Sequence, residues 1–216
     1  MDFLPENISN YSSKFTDEPS DLLKELDRET WAKVMVPRMI AGHYQGRFLS
    51  MLSHMIKPHR VLEIGTYTGY SALCFAEGLA KGGKIFTIDK NEELESMVKR
   101  YHSKSKFKDQ IVHVIGHALE EIPKLEEDWD LVFIDADKEN YLNYYNQVFD
   151  RVPVGGYIIA DNVLWSGKVM DEKQRLSDKD TNALHQFNSF VQDDVRVENI
   201  LLAIRDGLMI LRKVKD

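Results

Sequence analysis

Between Arg60 and Asp161 the chain alternates short apolar runs with segments of helical spacing, and this alternation limits its fold more than any other feature. The runs Arg60 to Ile64, Lys84 to Ile88, Ile111 to Ile115, Leu131 to Ile134 and Tyr157 to Ala160 are too short for helices. They are rich in β-branched residues and read as strands buried on both faces. Helical patterns separate them at Gly69 to Ala80, Glu92 to about His102, Leu119 to Leu125 and Tyr141 to Phe149. Strand–helix repeats at this spacing imply right-handed crossovers and a doubly wound parallel α/β sheet with helices on both faces. The pattern breaks at the end. Val197 to Ile204 and Leu208 to Val214 are joined only by Arg205-Asp206-Gly207, too short for a crossover, so they are expected to form a C-terminal antiparallel hairpin.

A chain of 216 residues with 43% hydrophobic residues suits one domain, 1–216, with residues 1–40 as an N-terminal arm and helix. Residues 1–20 are polar and punctuated by Pro5 and Pro19, the mark of an arm that needs a partner surface to become ordered. From Asp21 the spacing of Leu22, Leu23, Leu26, Thr30, Trp31 and Val34 predicts an amphipathic helix capped by Ser20 or Asp21. A second helix is predicted from about Gly42 to Met55, with Phe48, Leu49, Leu52 and Met55 on its apolar face.

Acidic residues outnumber basic ones by 35 to 28, a net charge of -7, which argues against binding nucleic acid or an anionic membrane. Cys74 is the only cysteine, so an intrachain disulfide and a thiolate-rich zinc site are both excluded. A reducing cytoplasm is the matching compartment. No apolar stretch approaches the ~20 residues of a membrane span, and the first residues lack a signal-peptide pattern, so the chain reads as soluble and unprocessed.

In a parallel sheet, sites form just beyond the carboxyl ends of the strands. The fourth run stops at Asp135-Ala136-Asp137-Lys138 and the fifth at Asp161-Asn162. If these strands are neighbours, Asp135, Asp161 and Asn162 offer three hard oxygen ligands to a Mg²⁺-like ion. Asp137 is then placed to bind an amine on the nucleoside side. Lys138 becomes a candidate base for a phenol, because burial and a neighbouring cation both favour the neutral amine of a lysine.

The first strand runs into Gly65-Thr66-Tyr67-Thr68-Gly69-Tyr70-Ser71. A glycine there lets the backbone turn tightly against a nucleotide-type ligand. A dinucleotide fingerprint needs glycine where Tyr67 stands, and Glu63 puts negative charge where a pyrophosphate would lie. Glu63 suits a cationic ligand such as the amino and sulfonium groups of S-adenosylmethionine. Asp89, about 24 residues after Gly65, ends the second strand and can accept ribose hydroxyls. Taken singly, Asp135, Asp137 and Asp161 read more simply as solvated or capping a helix, and a solvated side chain is the plain alternative at Asp89 and Lys138; the conjunction carries the argument.

The segments VLEIGTYTGYSAL, FIDADKENYLNYYNQVFDRVPVGGYIIADNVLWSGKV and GLMILRKV resemble the cation-dependent O-methyltransferases typified by caffeoyl-CoA and catechol O-methyltransferases. The resemblance runs from about Gly46 onward. It implies a Rossmann-like methyltransferase sheet, with Asp135, Asp161 and Asn162 as ligands of Mg²⁺ or another divalent cation. Glu63, Gly65, Thr66, Ser71, Asp89, Ala118 and Asp137 would line the S-adenosylmethionine site, and Lys138 stands where catechol-type enzymes place their base. Ala41 falls where the plant enzymes have a cofactor-contacting threonine, so only a backbone contact is expected there. The acceptor implied is a small vicinal dihydroxy aromatic molecule, and a homodimer is implied as well.

From Val163 to about Asp180 the chain reads as a loop, with Trp165 as a candidate wall of the acceptor pocket or an ordinary core residue. Cys74 reads as core, the cluster Tyr141, Tyr144, Tyr145 and Phe149 as helix packing, and His43, His54 and His59 form no metal-ligand spacing. Two other readings stand beside methyl transfer: a nicotinamide-dependent oxidoreductase, and a non-catalytic nucleoside-binding protein on the same fold.

Overall fold

The computed structural model describes residues 5–216. Residues 7–117 form one compact unit and residues 118–216 belong to a second.

In the first unit, strands β1 (Arg60–Ile64), β2 (Lys84–Asp89) and β3 (Ile111–Ile115) run parallel in the order β3-β2-β1. The side chains of β1 and β2 are buried almost throughout, as the continuous apolar runs require of strands covered on both faces. Helix α1 (Glu6–Lys14) lies within the stretch expected to be an unordered arm; it buries none of its residues. The expected arm also includes residues 1–4, which lie outside the described residues.

Helix α2 (Asp21–Lys33) starts at Ser20, whose hydroxyl accepts the Leu23 N–H at 3.4 Å. It buries Leu23, Leu26 and Thr30, but Trp31, expected on the same face, is 58% exposed. Helix α3 (Gly42–Ile56) also departs from its apolar pattern. It buries Gln45, Gly46, Leu49, Ser50 and Ser53, while Met55 faces solvent. The reason is close packing on helix α4 (Tyr70–Ala76). A Cβ on Gly46 would lie 2.6 Å from the Tyr70 ring and 3.0 Å from the Cys74 sulfur. Small residues, rather than large apolar ones, let the two helices approach. Ser53 completes the contact by donating to the Phe75 carbonyl at 2.6 Å. Helix α5 (Glu95–Lys104) carries Met97, Val98, Tyr101 and His102 into the same core.

The second unit begins with α6 (Ala118–Glu121) and contains β4 (Leu131–Ile134), α7 (Tyr141–Phe149) and β5 (Tyr157–Asp161). Strands β4 and β5 are parallel neighbours, with Ile134 opposite Ala160, so Asp135 and Asp161 leave the sheet at the same level. The predicted hairpin is present as β6 (Val197–Leu202) and β7 (Leu208–Lys213), and the strand order is β4-β5-β7-β6. Antiparallel pairing of β5 with β7 places Leu208 opposite Asp161.

The stretch read as a loop after Asn162 is largely ordered. It holds a 3₁₀ segment, Trp165–Met170, and helix α8 (Glu172–Ser177); α9 (Lys179–Asp193) follows, an element missing from the sequence reading. Asp178 caps α9 by accepting the Asp180 N–H at 3.1 Å, and Leu184, Phe187 and Val191 are buried at helical spacing. Phe187 meets the Tyr141 ring edge-on at 5.7 Å, so α9 covers the start of α7, directly after the 3₁₀ turn Lys138–Asn140.

Candidate active site

At the ends of β4 and β5, one buried cation gathers the polar groups. Lys138, only 8% exposed, donates to the Asp135 carboxylate at 3.1 Å, the Asn162 amide oxygen at 2.8 Å and the Tyr141 hydroxyl at 2.6 Å. Three acceptors satisfy all three N–H groups of an ammonium. Tyr141, fully buried on α7, donates its own hydroxyl hydrogen bond to the Asp161 carbonyl at 2.9 Å. Burial raises the Tyr141 pKa well above that of an ordinary phenol, so the hydroxyl stays neutral.

Asp161 is 3% exposed, and its Oδ1 accepts the Asn162 N–H at 2.7 Å. This bond holds Asn162 in the left-handed conformation, φ +61°, which asparagine tolerates better than most residues. Asp135, Asp161 and Asn162 are therefore brought together as the adjacent strand ends predicted. Among the described residues no group of three His, Cys, Asp or Glu side chains gathers as a metal site. The set here is instead two carboxylates and an amide, and two of its members already hold a cationic atom. Such oxygen donors fit Mg²⁺ or a similar hard ion.

Trp165 belongs to this cluster. Its ring lies 5.7 Å from the Lys138 ammonium, and its buried indole N–H has no hydrogen-bond partner among the described residues. The turn between β6 and β7 fixes the segment, because Leu164 N–H donates to the Asp206 carbonyl at 2.9 Å and Val163 N–H to that of Gly207 at 3.2 Å. Asp137 is exposed and clamped by neighbours: Tyr144 donates to its Oδ1 at 2.5 Å and Asn140 to its Oδ2. Tyr141 and Tyr144, read from sequence as packing alone, thus bond directly to two candidate site residues. Ala118 opens α6 and is half-buried.

The other candidate cofactor residues lie in the unit 7–117. Gly65 adopts φ +102° and donates its N–H to the Ile88 carbonyl at 2.9 Å, closing the turn after β1. The Asp89 carboxylate organises that turn: Oδ2 accepts Thr66 N–H at 3.1 Å and Tyr67 N–H at 2.7 Å, while Oδ1 accepts Asn91 N–H at 2.9 Å. With one backbone donor rather than two, Oδ1 has more room for a ribose hydroxyl. Glu63, fully buried in β1, accepts from Thr87, whose hydroxyl lies 2.6 Å from that of Thr66. Ser71 is half-buried in the first turn of α4, and Ala41 is the residue that precedes α3.

Beneath the turn lies a feature the sequence reading missed. Gly69, at φ +86°, sits over His102 so closely that a Cβ would meet its Nε2 at 2.6 Å. Burial pushes His102 down to about 4, and His113, whose ring is 6.0 Å away, is lowered first by burial too. Cys74 is buried and its thiol pushed up to about 12 by burial, which leaves it inert as core.

The model of the family described as O-methyltransferase matches residues 10–214. Caffeoyl-CoA O-methyltransferase of Medicago sativa is 35% identical over 205 residues, covering 90% of this chain and 83% of the relative. Caffeoyl-CoA O-methyltransferase 5 of Nicotiana tabacum is 34% identical, covering 94% of this chain and 88% of the relative. Among solved structures, the SAH-bound methyltransferase PaMTH1 of Podospora anserina superposes with a TM-score of 0.89 at 26% identity over 100% of both chains. The O-methyltransferase of Bacillus cereus in complex with SAH gives 0.86 at 27% identity, covering 96% of this chain and 97% of the other. The seven strands of the described residues, mostly parallel with a C-terminal antiparallel hairpin, are thus of the Rossmann-like methyltransferase type.

Proposed function

The chain belongs to the O-methyltransferase family, and on that premise we propose that it moves the methyl group of S-adenosylmethionine to one hydroxyl of a vicinal dihydroxy aromatic acceptor, assisted by Mg²⁺ or another divalent cation. The observation that carries this reading is the convergence of Asp135 and Asn162 on the buried Lys138 ammonium, at the ends of two neighbouring strands. A bound divalent ion supplies Lewis acidity toward phenolic oxygens, and S-adenosylmethionine supplies the methyl group.

Asp135, Asp161 and Asn162 would hold the ion through their side-chain oxygens. Lys138, after its ammonium has released one proton to solvent, takes the phenolic proton at Nζ. Trp165, whose ring lies 5.7 Å from the Lys138 ammonium, walls the acceptor pocket on one side and excludes water there. In the unit 7–117, Oδ1 of Asp89 accepts a ribose hydroxyl, while Glu63, Gly65, Thr66 and Ser71 shape the nucleoside turn. Ala41 contributes through its backbone, Ala118 lines the cofactor site and Asp137 binds the cofactor's amino group. Positioning of the two reactants, rather than covalent catalysis, provides the acceleration.

Tyr67 at a dinucleotide glycine position and the hairpin β6–β7 both weigh against a nicotinamide enzyme. The complete set Asp135, Asp161 and Asn162 weighs against a non-catalytic binder. The exposed Trp31, Met35 and Met39 favour pairing with a second copy of the chain, and the lone buried Cys74 favours a reducing cytoplasm. No helix among the described residues is long and apolar enough to cross a membrane.

The test is incubation with S-adenosylmethionine and a panel of catechols, caffeoyl derivatives and flavonoids, with products read by mass spectrometry. The reading expects one added methyl on a vicinal diol. Methylation confined to acceptors with a single hydroxyl would overturn it, and a parallel fluorescence titration showing tight NADH binding would favour the oxidoreductase.

A further inference from the structure

Tyr141 is the one acceptor of Lys138 that is neither a candidate ion ligand nor charged. Its hydroxyl has a single proton, and that proton is committed to the Asp161 carbonyl at 2.9 Å. Toward Lys138, 2.6 Å away, it therefore acts only through a lone pair. The ring is held by full burial and by the edge of Phe187, so the hydroxyl cannot swing aside.

We infer that Tyr141 is the positioning residue of Lys138, keeping the ammonium at the site when a divalent ion takes Asp135 and Asn162 away from it. The inference rests on the proposed reading of Asp135, Asp161 and Asn162 as holders of that ion. Without an ion, the ammonium shares both of those oxygens, at 3.1 and 2.8 Å. An ion that claims them strips Lys138 of two of its three acceptors. A buried ammonium left with none would carry a heavy desolvation cost, and that cost would oppose ion binding. The Tyr141 hydroxyl removes part of it by staying bonded throughout. Tyr141 thereby sets both where Lys138 stands and how readily the ion enters.

Binding of Mn²⁺ alone, followed by electron paramagnetic resonance without cofactor or acceptor, tests this on four proteins: the unmodified chain, Tyr141→Phe, Lys138→Met and the double variant. Tyr141→Phe keeps the ring and removes only the hydroxyl. It is expected to weaken Mn²⁺ binding by about tenfold, the scale of one charge-assisted hydrogen bond. Lys138→Met removes the displaced ammonium and is expected to tighten binding severalfold. In the Lys138→Met background the Tyr141→Phe effect should shrink to within about twofold, because there is no lysine left to position.

An equal weakening in both backgrounds would overturn the inference, since a purely structural role of Tyr141 acts with or without Lys138. Should Tyr141→Phe fail to fold, Lys138→Met decides alone: unchanged or weaker Mn²⁺ binding would mean that the ammonium does not share the ion's ligands. Failure of the unmodified chain to bind Mn²⁺ would overturn the metal reading itself, which separates that failure from this one.

Discussion

The Lys138 ammonium on the turn after β4 stands 2.8 Å from the Asn162 amide oxygen on the turn after β5, so one side chain ties two adjacent strand ends together. In the proposed reaction Lys138, once deprotonated, is the group that takes the proton of the acceptor hydroxyl. Lys138→Met is expected to lower kcat by ~10²- to 10⁴-fold, the usual contribution of a general base. Its Kd for S-adenosylmethionine, measured by calorimetry, should stay within about twofold. A kcat within about threefold of the unmodified protein would remove Lys138 from the proton step.

Asp161 serves twice, as a proposed ion ligand and as the acceptor that fixes the Asn162 turn at 2.7 Å. Asp161→Ala is expected to abolish transfer while leaving cofactor affinity largely intact. Loss of both in the same variant would show the ion site to be misplaced.

Gly69 has no room for a side chain. Its φ of +86° is costly for any residue with a Cβ, and that atom would lie 2.6 Å from His102 Nε2. Gly69→Ala should destabilise the protein by roughly 1–3 kcal/mol in urea unfolding and weaken S-adenosylmethionine binding, because the same turn is the proposed nucleoside site. Unchanged stability would contradict the close packing.

Acid stability follows from the two buried imidazoles. His102 is pushed down to about 4 by burial, against about 6.5 in an unfolded chain. The unfolded state therefore binds the proton first. The stability from a neutral His102 is complete above about pH 6.5 and is lost as pH falls toward 4, with a limiting slope of about 1.4 kcal/mol per pH unit for each proton. His113 adds in the same direction. Glu29, lowered to about 2 chiefly by its bond from Tyr101, and Asp194, lowered to about 2 chiefly by Arg196, lose their contributions only at more acid pH. Melting temperature should thus fall from pH 6.5 to pH 4.5, and less steeply in His102→Gln. An identical fall in that variant would assign the effect to other groups.

Much of this was legible in the sequence because strand ends are easy to find. Apolar runs that stop at Asp135 and Asp161 locate two turns, and parallel pairing of their strands brings the turns together. What escaped the reading depends on tertiary packing. Tyr141 has the helical spacing of a core residue and is one; only the fold shows its hydroxyl between Lys138 and Asp161. The buried face of α3 is small and polar because α4 presses against Gly46, a relation no apolar periodicity reports. Helix α9 did leave a signal, the spacing of Leu184, Phe187 and Val191 behind the Asp178 cap, but the charged residues before it read as loop. The contact of Gly69 with His102 joins residues far apart in the chain and has no local mark.

Ion-assisted methyl transfer at Asp135, Asp161 and Asn162 is tested most directly by the rate with S-adenosylmethionine and a catechol after EDTA treatment and again after Mg²⁺ is restored. Activity is expected to disappear with EDTA and to return with Mg²⁺, while cofactor binding persists throughout. A rate indifferent to EDTA would contradict it.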